Sequence, residues 1–411
     1  MLLHKDSEGS RLEISSYEVS WAIAESLLSL AIRGNEPLGR GQAKEMVERL
    51  VLAGRYAEAS IVRLPRTAEA PTRGWCSDHP YGRPMIESWT CATVLHSAIS
   101  LYHLIEAANR QDVLATFSVI EPNEGWPDWL QWDNFRTNSE PDSERPVFEH
   151  LHQHIVVQIL TDPQHLPRVE KENVSVVLFG PPGTSKTTVV KAIATALGWP
   201  VVMLSPGDFI AKGLEYIEAQ AASIFSRLQQ LHHAIVLFDE CDELFRDRHP
   251  NEQNEQTRGI AAFVTASMLP KLQDLHDRGR VIFFICTNMI ESLDSAIRRP
   301  GRVDHILYVG PPDETARLRW INEIVTIPTG RAHSDVACQE LARRTEGFLR
   351  KELQRAVKLL FQAPSWETPE EAKHKAKMVA LQIRPSLTIS VEELGKFNDQ
   401  RKEFSRPPYV E

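Results

Sequence analysis

Lys186 and Thr187 close the run Gly180-Pro181-Pro182-Gly183-Thr184-Ser185, and an ammonium and a hydroxyl at the end of a glycine-bearing loop suit phosphate binding. Gly180 and Gly183 free the backbone to turn its N–H groups inward. The helix predicted from Thr188 through VVKAIATALG adds partial positive charge where a triphosphate would lie. Lys186 would then sit on the β- and γ-phosphates, and Thr187 would offer its hydroxyl to Mg²⁺, which also needs a carboxylate. Ser185 stands where the motif has its second glycine. Its Cβ predicts a loop held there at negative φ or mildly strained.

The carboxylates follow at Asp239 and Glu240, ahead of Asp242 and Glu243. Asp239 suits Mg²⁺ through water, which leaves Glu240 to orient or deprotonate an attacking water. Asn288, after Thr287, offers an amide to that water or to a γ-phosphate; taken alone it reads equally well as a turn residue. Arg298, Arg299 and Arg302 crowd around Pro300-Gly301. Guanidiniums on a rigid turn suit phosphate charge, including that of a neighbouring subunit's nucleotide, and a basic surface turn is the plainer reading.

These groups meet only if the chain between them forms one sheet. The apolar runs 174–179, 234–238 and 281–286 are short, rich in β-branched and aromatic residues, and each ends in polar residues. They read as buried parallel strands whose C-terminal tips carry the chemistry, where open α/β sheets bind ligands.

With its motifs in this order, the chain resembles an AAA-family ATPase of the AAA+ group over about residues 150 to 400. GPPGTSKT matches Walker A, IVLFDE followed by CDELF matches Walker B, Asn288 matches sensor 1, and TNMIESLDSAIRRPGRVD matches the second region of homology. The resemblance implies an α/β fold: a P-loop NTPase parallel sheet with a C-terminal helical lid, joined to an N-terminal, mainly α-helical domain. It implies hydrolysis of ATP to ADP and phosphate with Mg²⁺, a homo-oligomeric ring that is a hexamer in the family, and remodelling of a protein partner. Carried over by motif, Gly180, Pro181, Pro182, Gly183, Thr184, Ser185, Lys186, Thr187, Thr188 and Asp239 hold nucleotide. Thr187 and Asp239 hold the metal, and Glu240, Asn288 and the paired arginine fingers Arg299 and Arg302 are catalytic. Asp304 matches the acid that ends the second region, with His305 where a basic residue is usual. TEGFLRKEL resembles the lid segment GFSGADL, so Arg350 or Lys351 is either a second sensor cation or part of a solvated basic turn. The aromatic pore-loop position falls on Gly213-Leu214-Glu215 with Tyr216 just beyond, which puts peptide threading in doubt.

The predicted layout is a helical N-terminal domain over 1–135 for partner recognition, a polar linker over 136–147, the ATPase core over 148–310 and the lid with its tail over 311–411. Helical spacing over 14–33, 45–57 and 87–110 supports the first, and lid helices are expected near 313–325, 335–345, 350–362, 366–384 and 391–403. Trp126, Trp129 and Trp132 form a stripe if helical, sealing the N-terminal bundle, docking on the ATPase core or anchoring a partner. Cys76, Asp78 and His79 in RGWCSDHPYGRP match no closed metal-ligand set, and His150, His152 and His154 lack an acidic third ligand.

A chain of 411 residues, 42% hydrophobic, suits two or three domains. No apolar run is long enough to span a membrane, and the first residues carry no signal-peptide core, so a cytoplasmic protein is expected. Five scattered cysteines indicate neither a disulfide framework nor zinc. A formal charge of −9 argues against broad nucleic-acid binding. Two functional classes stand: a protein-remodelling motor, and a slow ATP-dependent switch or scaffold. A nucleic-acid remodeller is disfavoured by the charge.

Overall fold

The computed structural model describes residues 88–126, 147–161, 174–240, 255–299, 302–324, 333–362 and 366–383, with positions 55, 58, 61–63, 73–75, 86, 245, 396, 399 and 400. The helix expected over 14–33, those expected over 45–57 and 391–403 apart from positions 55, 396, 399 and 400, the residues Cys76, Asp78, His79, Trp129 and Trp132, and the linker short of Val147 lie outside the described residues, as do Pro300 and Gly301. The chain divides into two units, 1–113 and 114–411. In the first, β1 (Val62–Arg63) pairs antiparallel with β2 (Arg73–Gly74), and the long helix α1 (Ser88–Leu114) follows the region expected to be helical. Next to β2, the Trp75 N–H donates to Cys91 Sγ at 3.2 Å.

The second unit is built on six strands: β3 (Ser118–Ile120), β4 (Ser175–Phe179), β5 (Val201–Leu204), β6 (Ile235–Asp239), β7 (Ile282–Thr287) and β8 (His305–Tyr308). Their order is β3-β5-β6-β7-β4-β8, all parallel except the antiparallel edge strand β3. β4, β7 and β8 are buried at every position. This is why they read as unbroken apolar runs and not as alternating ones: helices cover both faces of a parallel sheet. Register puts Asp239 beside Cys286 and Phe179 beside Thr287, so the tips of β6, β7 and β4 end level with one another.

One boundary differs from expectation, on two observations. Ser118–Ile120 hydrogen-bonds to β5, so the sheet begins inside the stretch assigned to the N-terminal domain. Three residues are too few to carry a legible period. Trp126 likewise packs on Phe148 and His152, at centroid distances of 5.6 and 6.1 Å, on the helical segment that follows. That segment runs through α2 (Val147–Leu151), a π-helical stretch (His152–Val157) and α3 (Gln158–Thr161). Of its histidines, His150 is buried, with Nε2 3.4 Å from His305 Nδ1.

Between the strands run α4 (Lys186–Leu197), α5 (Pro206–Ile210), α6 (Ile217–Leu228) and α7 (Glu255–Arg278). The lid has α8 (Glu314–Ile324), α9 (Ser334–Arg344), α10 (Arg350–Gln362) and α11 (Pro369–Gln382), within a residue or two of expectation at most of their ends. These helices share one core that includes Ile321, Leu341, Leu353, Leu360 and Val379. Arg317 is buried among them; its Nε donates to Ala342 O at 2.9 Å and its Nη1 to Pro312 O at 2.7 Å, which ties the first two lid helices to the segment entering the lid. No described helix is long and apolar enough to cross a membrane.

Candidate active site

The loop from β4 to α4 turns at once, because Gly180 has φ +149° and its N–H donates to Thr287 O on the neighbouring strand at 3.3 Å. A Cβ on Gly180 would collide with the Val309 carbonyl, and one on Gly183 (φ +78°) would meet Leu349 Cδ1 from the start of the lid's α10. Bare backbone is therefore required at both positions. Thr184 is buried and donates its hydroxyl to Pro181 O at 2.9 Å. Pro182 and Gly183 face outward and are exposed.

Ser185 takes the strained of the two expected conformations. It has φ 73° and ψ 24°, the left-handed region and not a negative φ, because the loop must bend there to enter α4. Its carbonyl accepts from Thr188 N–H at 3.0 Å and Val189 N–H at 3.1 Å, opening the helix. Its hydroxyl makes no capping hydrogen bond.

Lys186 is 9% exposed, and its Nζ donates to Gly180 O at 2.8 Å, Pro181 O at 2.9 Å and Asn288 Oδ1 at 2.7 Å. A buried ammonium requires such acceptors. One of them is the asparagine at the tip of β7, so two motifs 102 residues apart meet directly. The Thr187 hydroxyl donates to Asp239 Oδ2 at 3.1 Å, joining the loop to the tip of β6. Glu240, the next residue, is exposed and left-handed at φ 55°. Non-glycine residues in that region are held by their surroundings and concentrate at functional sites. One buried ammonium, a loop without side chains at its closest points and a hydroxyl beside a carboxylate make a donor set that fits a phosphate chain and a hard divalent cation.

The two arginines of the basic turn part ways. Arg299 is exposed, and its carbonyl accepts from Arg302 N–H at 3.2 Å. Arg302 is half-buried: its Nε donates to Gln273 Oε1 at 3.3 Å and its Nη1 to Ala296 O at 3.0 Å. In the lid, the Arg350 guanidinium lies 3.6 Å from the centroid of Trp320, so it stacks on α8. Lys351 is exposed.

At the other end of the strands, Asp304, the acid that ends the second region of homology, gathers partners that the motif did not indicate. Asp304 Oδ2 accepts from Val174 N–H at 2.9 Å, Ser175 N–H at 2.9 Å and Ser175 Oγ at 2.8 Å, while Oδ1 lies 3.0 Å from His276 Nε2. Burial works against protonation of His276, but the Asp304 carboxylate and Asp277 outweigh it and raise its pKa. Next to it, burial depresses the pKa of the fully buried His305 to about 4; the nearby Asp304 charge pulls it up and His154 pushes it down. Each hydrogen bond from Val174, Ser175 and His276 to Asp304 joins residues more than 25 positions apart, so no local pattern announces it.

Residues 176–311 match the family described as ATPase family associated with various cellular activities (AAA). This segment is an AAA domain. Similar proteins include Protein SAV of Sulfolobus acidocaldarius, 30% identical over 185 residues (44% of this chain, 23% of that one), and ATPase family gene 2 protein of Saccharomyces cerevisiae, 34% identical over 173 residues (42% and 21%). A Cell division cycle protein 48 homolog of Archaeoglobus fulgidus is 29% identical over 238 residues, covering 57% of this chain and 29% of that one. The chain thus spans less than a third of each of these relatives. The crystal structure of the FIGL-1 AAA domain superposes with a TM-score of 0.51 at 18% identity, over 73% of this chain and 96% of that domain, and so shares the fold of the AAA domain and lid.

Proposed function

We propose that the AAA domain binds ATP with Mg²⁺ and hydrolyses it to ADP and phosphate, and that the chain couples this cycle to remodelling of a protein partner as a homo-oligomeric ring. One observation carries the hydrolytic reading: the tips of β4, β6 and β7 bring Lys186, Thr187, Asp239, Glu240 and Asn288 to one place, with Lys186 on Asn288 and Thr187 on Asp239. In the cycle, Lys186 exchanges the Gly180 and Pro181 carbonyls for β- and γ-phosphate oxygens, while the N–H groups of Gly183 to Thr188 line the phosphates. Thr187 and Asp239 would hold Mg²⁺, which when bound supplies positive charge against the phosphate oxygens. Glu240, beyond the metal ligand, orients the attacking water and takes its proton, and Asn288 presents its amide to that water or to the γ-phosphate. Arg299, exposed on the surface, is the finger offered to a neighbouring subunit's nucleotide; Arg302 holds the turn that presents it.

The protein-remodelling part rests on the family and on Tyr216, which is 55% exposed beside Gly213. It is an aromatic displaced along the loop from its usual place, and it offers a peptide contact. The first unit and the residues up to the sheet are assigned to partner recognition, residues 148–310 with Ser118–Ile120 to the ATPase module, and 311–411 to the lid.

Titration with a fluorescent ADP analogue tests nucleotide binding. Lys186→Ala should lose most of the affinity, since it removes the ammonium that the loop directs at the phosphates. Undiminished binding in that variant would remove the loop from the reading.

A further inference from the structure

Four described non-glycine residues have positive φ: Ser185, His233, Glu240 and His333. Two belong to the candidate active site. Glu240 ends a strand, where a single bend is enough; Ser185 lies within the loop that must wrap the phosphates, at φ 73°. A side chain with a Cβ populates this region roughly five- to thirtyfold less readily than glycine, and the Ser185 hydroxyl makes no capping hydrogen bond to offset that cost.

Two sets of contacts hold Ser185 in place. On the helix side its carbonyl takes the Thr188 and Val189 N–H groups. On the loop side Lys186 Nζ stitches the Gly180 and Pro181 carbonyls together, with Thr184 Oγ1 also on Pro181 O. The Lys186 stitches are the ones that nucleotide binding draws away, because the same ammonium is needed on the phosphates. Once it turns to the ligand, the left-handed bend at 185 keeps its helix-side contacts and the Thr184 bond, and the ligand has to replace the Lys186 stitches. The reluctance of serine then falls on the binding step, as a reduced population of the competent loop.

We propose that Ser185 sets the nucleotide affinity of this chain, keeping it roughly five- to thirtyfold weaker than glycine at the same position would give. The proposal rests on the nucleotide reading above. It identifies Ser185 as a positioning residue that acts through backbone geometry.

The test uses the full chain and a fluorescent ADP analogue, titrated against wild type, Ser185→Gly, Ser185→Ala and Lys186→Ala, with melting temperatures taken without nucleotide. Ser185→Gly should bind about fivefold more tightly or better, with a melting temperature close to wild type. Ser185→Ala, which keeps the Cβ and loses the hydroxyl, should stay within about twofold of wild type. Equal or weaker binding in Ser185→Gly overturns the proposal. So does a gain confined to melting temperature, which would mean that the fold and not the ligand bears the strain. Tightening in Ser185→Ala to match glycine would also overturn it, by assigning the effect to the hydroxyl. If Lys186→Ala loses binding while Ser185→Gly equals wild type, only the Ser185 proposal fails; if wild type and Ser185→Gly both fail to bind, the nucleotide reading fails with it.

Discussion

The two ends of the same parallel strands are built on opposite terms. At the N-terminal end, one carboxylate, Asp304, gathers two backbone N–H groups, a hydroxyl and an imidazole within 3.0 Å, and nearly all of it is buried. At the C-terminal end, Ser185 and Glu240 are left-handed, Glu240 is exposed, and the Lys186 ammonium is tied to groups it can exchange. The first arrangement fixes register, because every group in it loses its partner if a strand slips. The second keeps polar groups available to a ligand. The difference shows how a buried sheet can be rigid as a whole and still present an adaptable edge.

Breaking the fixed end should have the largest effect on stability. Asp304→Ala leaves Val174 N–H, Ser175 N–H, Ser175 Oγ and His276 without their acceptor, which should cost about 3–5 kcal/mol, read as a lower urea midpoint. Asp304→Asn, which keeps an acceptor oxygen but loses the charge, should fall between. If Asp304→Ala unfolded at the wild-type midpoint, the contrast between the two ends would collapse.

The pH dependence sharpens the same contrast. His305 has its folded pKa depressed to about 4, so the unfolded chain binds the extra proton. Stability is therefore lost as pH falls from about 6.5 toward 4, on the order of 3 kcal/mol in all. His276 has a raised pKa and works the other way. Its contribution is complete below about pH 6.5 and is lost as pH rises through the folded value. Urea midpoints across this range should show His305→Phe flattening the acid limb and leaving the alkaline limb in place. An acid limb unchanged by that substitution would exclude His305 as its source.

Much of the mobile-ligand edge was legible in the sequence, and little of the fixed end was. Lys186, Asp239, Glu240 and Asn288 each follow a strand that announces itself by unbroken apolar character, and phosphate chemistry demands those residue types at the tips. Register then brought Lys186 to Asn288 and Thr187 to Asp239. The strands β5 and β8 were harder to read, since Val201–Leu204 and His305–Tyr308 are four residues each and the second opens with a histidine. Edge strand β3 was missed because three residues give no period, which moved the start of the sheet back before 135. Ser185 illustrates a different limit. Its departure from the motif was visible, but propensity favours negative φ for serine, and the demands of the loop override it. Arg302 and Arg299 read alike in sequence; only burial separates the one held by Ala296 and Gln273 from the one left exposed.

In the proposed function, the edge formed by β4, β6 and β7 hydrolyses ATP with Glu240 as the base, distinct from the groups that hold nucleotide. Glu240→Gln keeps the side chain's size and removes its basicity, while Lys186, Thr187 and Asp239 are untouched. Binding of a fluorescent ATP analogue and single-turnover hydrolysis of ATP, measured on the same preparation, address it directly. Wild-type binding with hydrolysis slowed about a hundredfold or more is expected. Undiminished hydrolysis would contradict it by removing Glu240 from the chemistry, and loss of binding would contradict the separation of holding from hydrolysing.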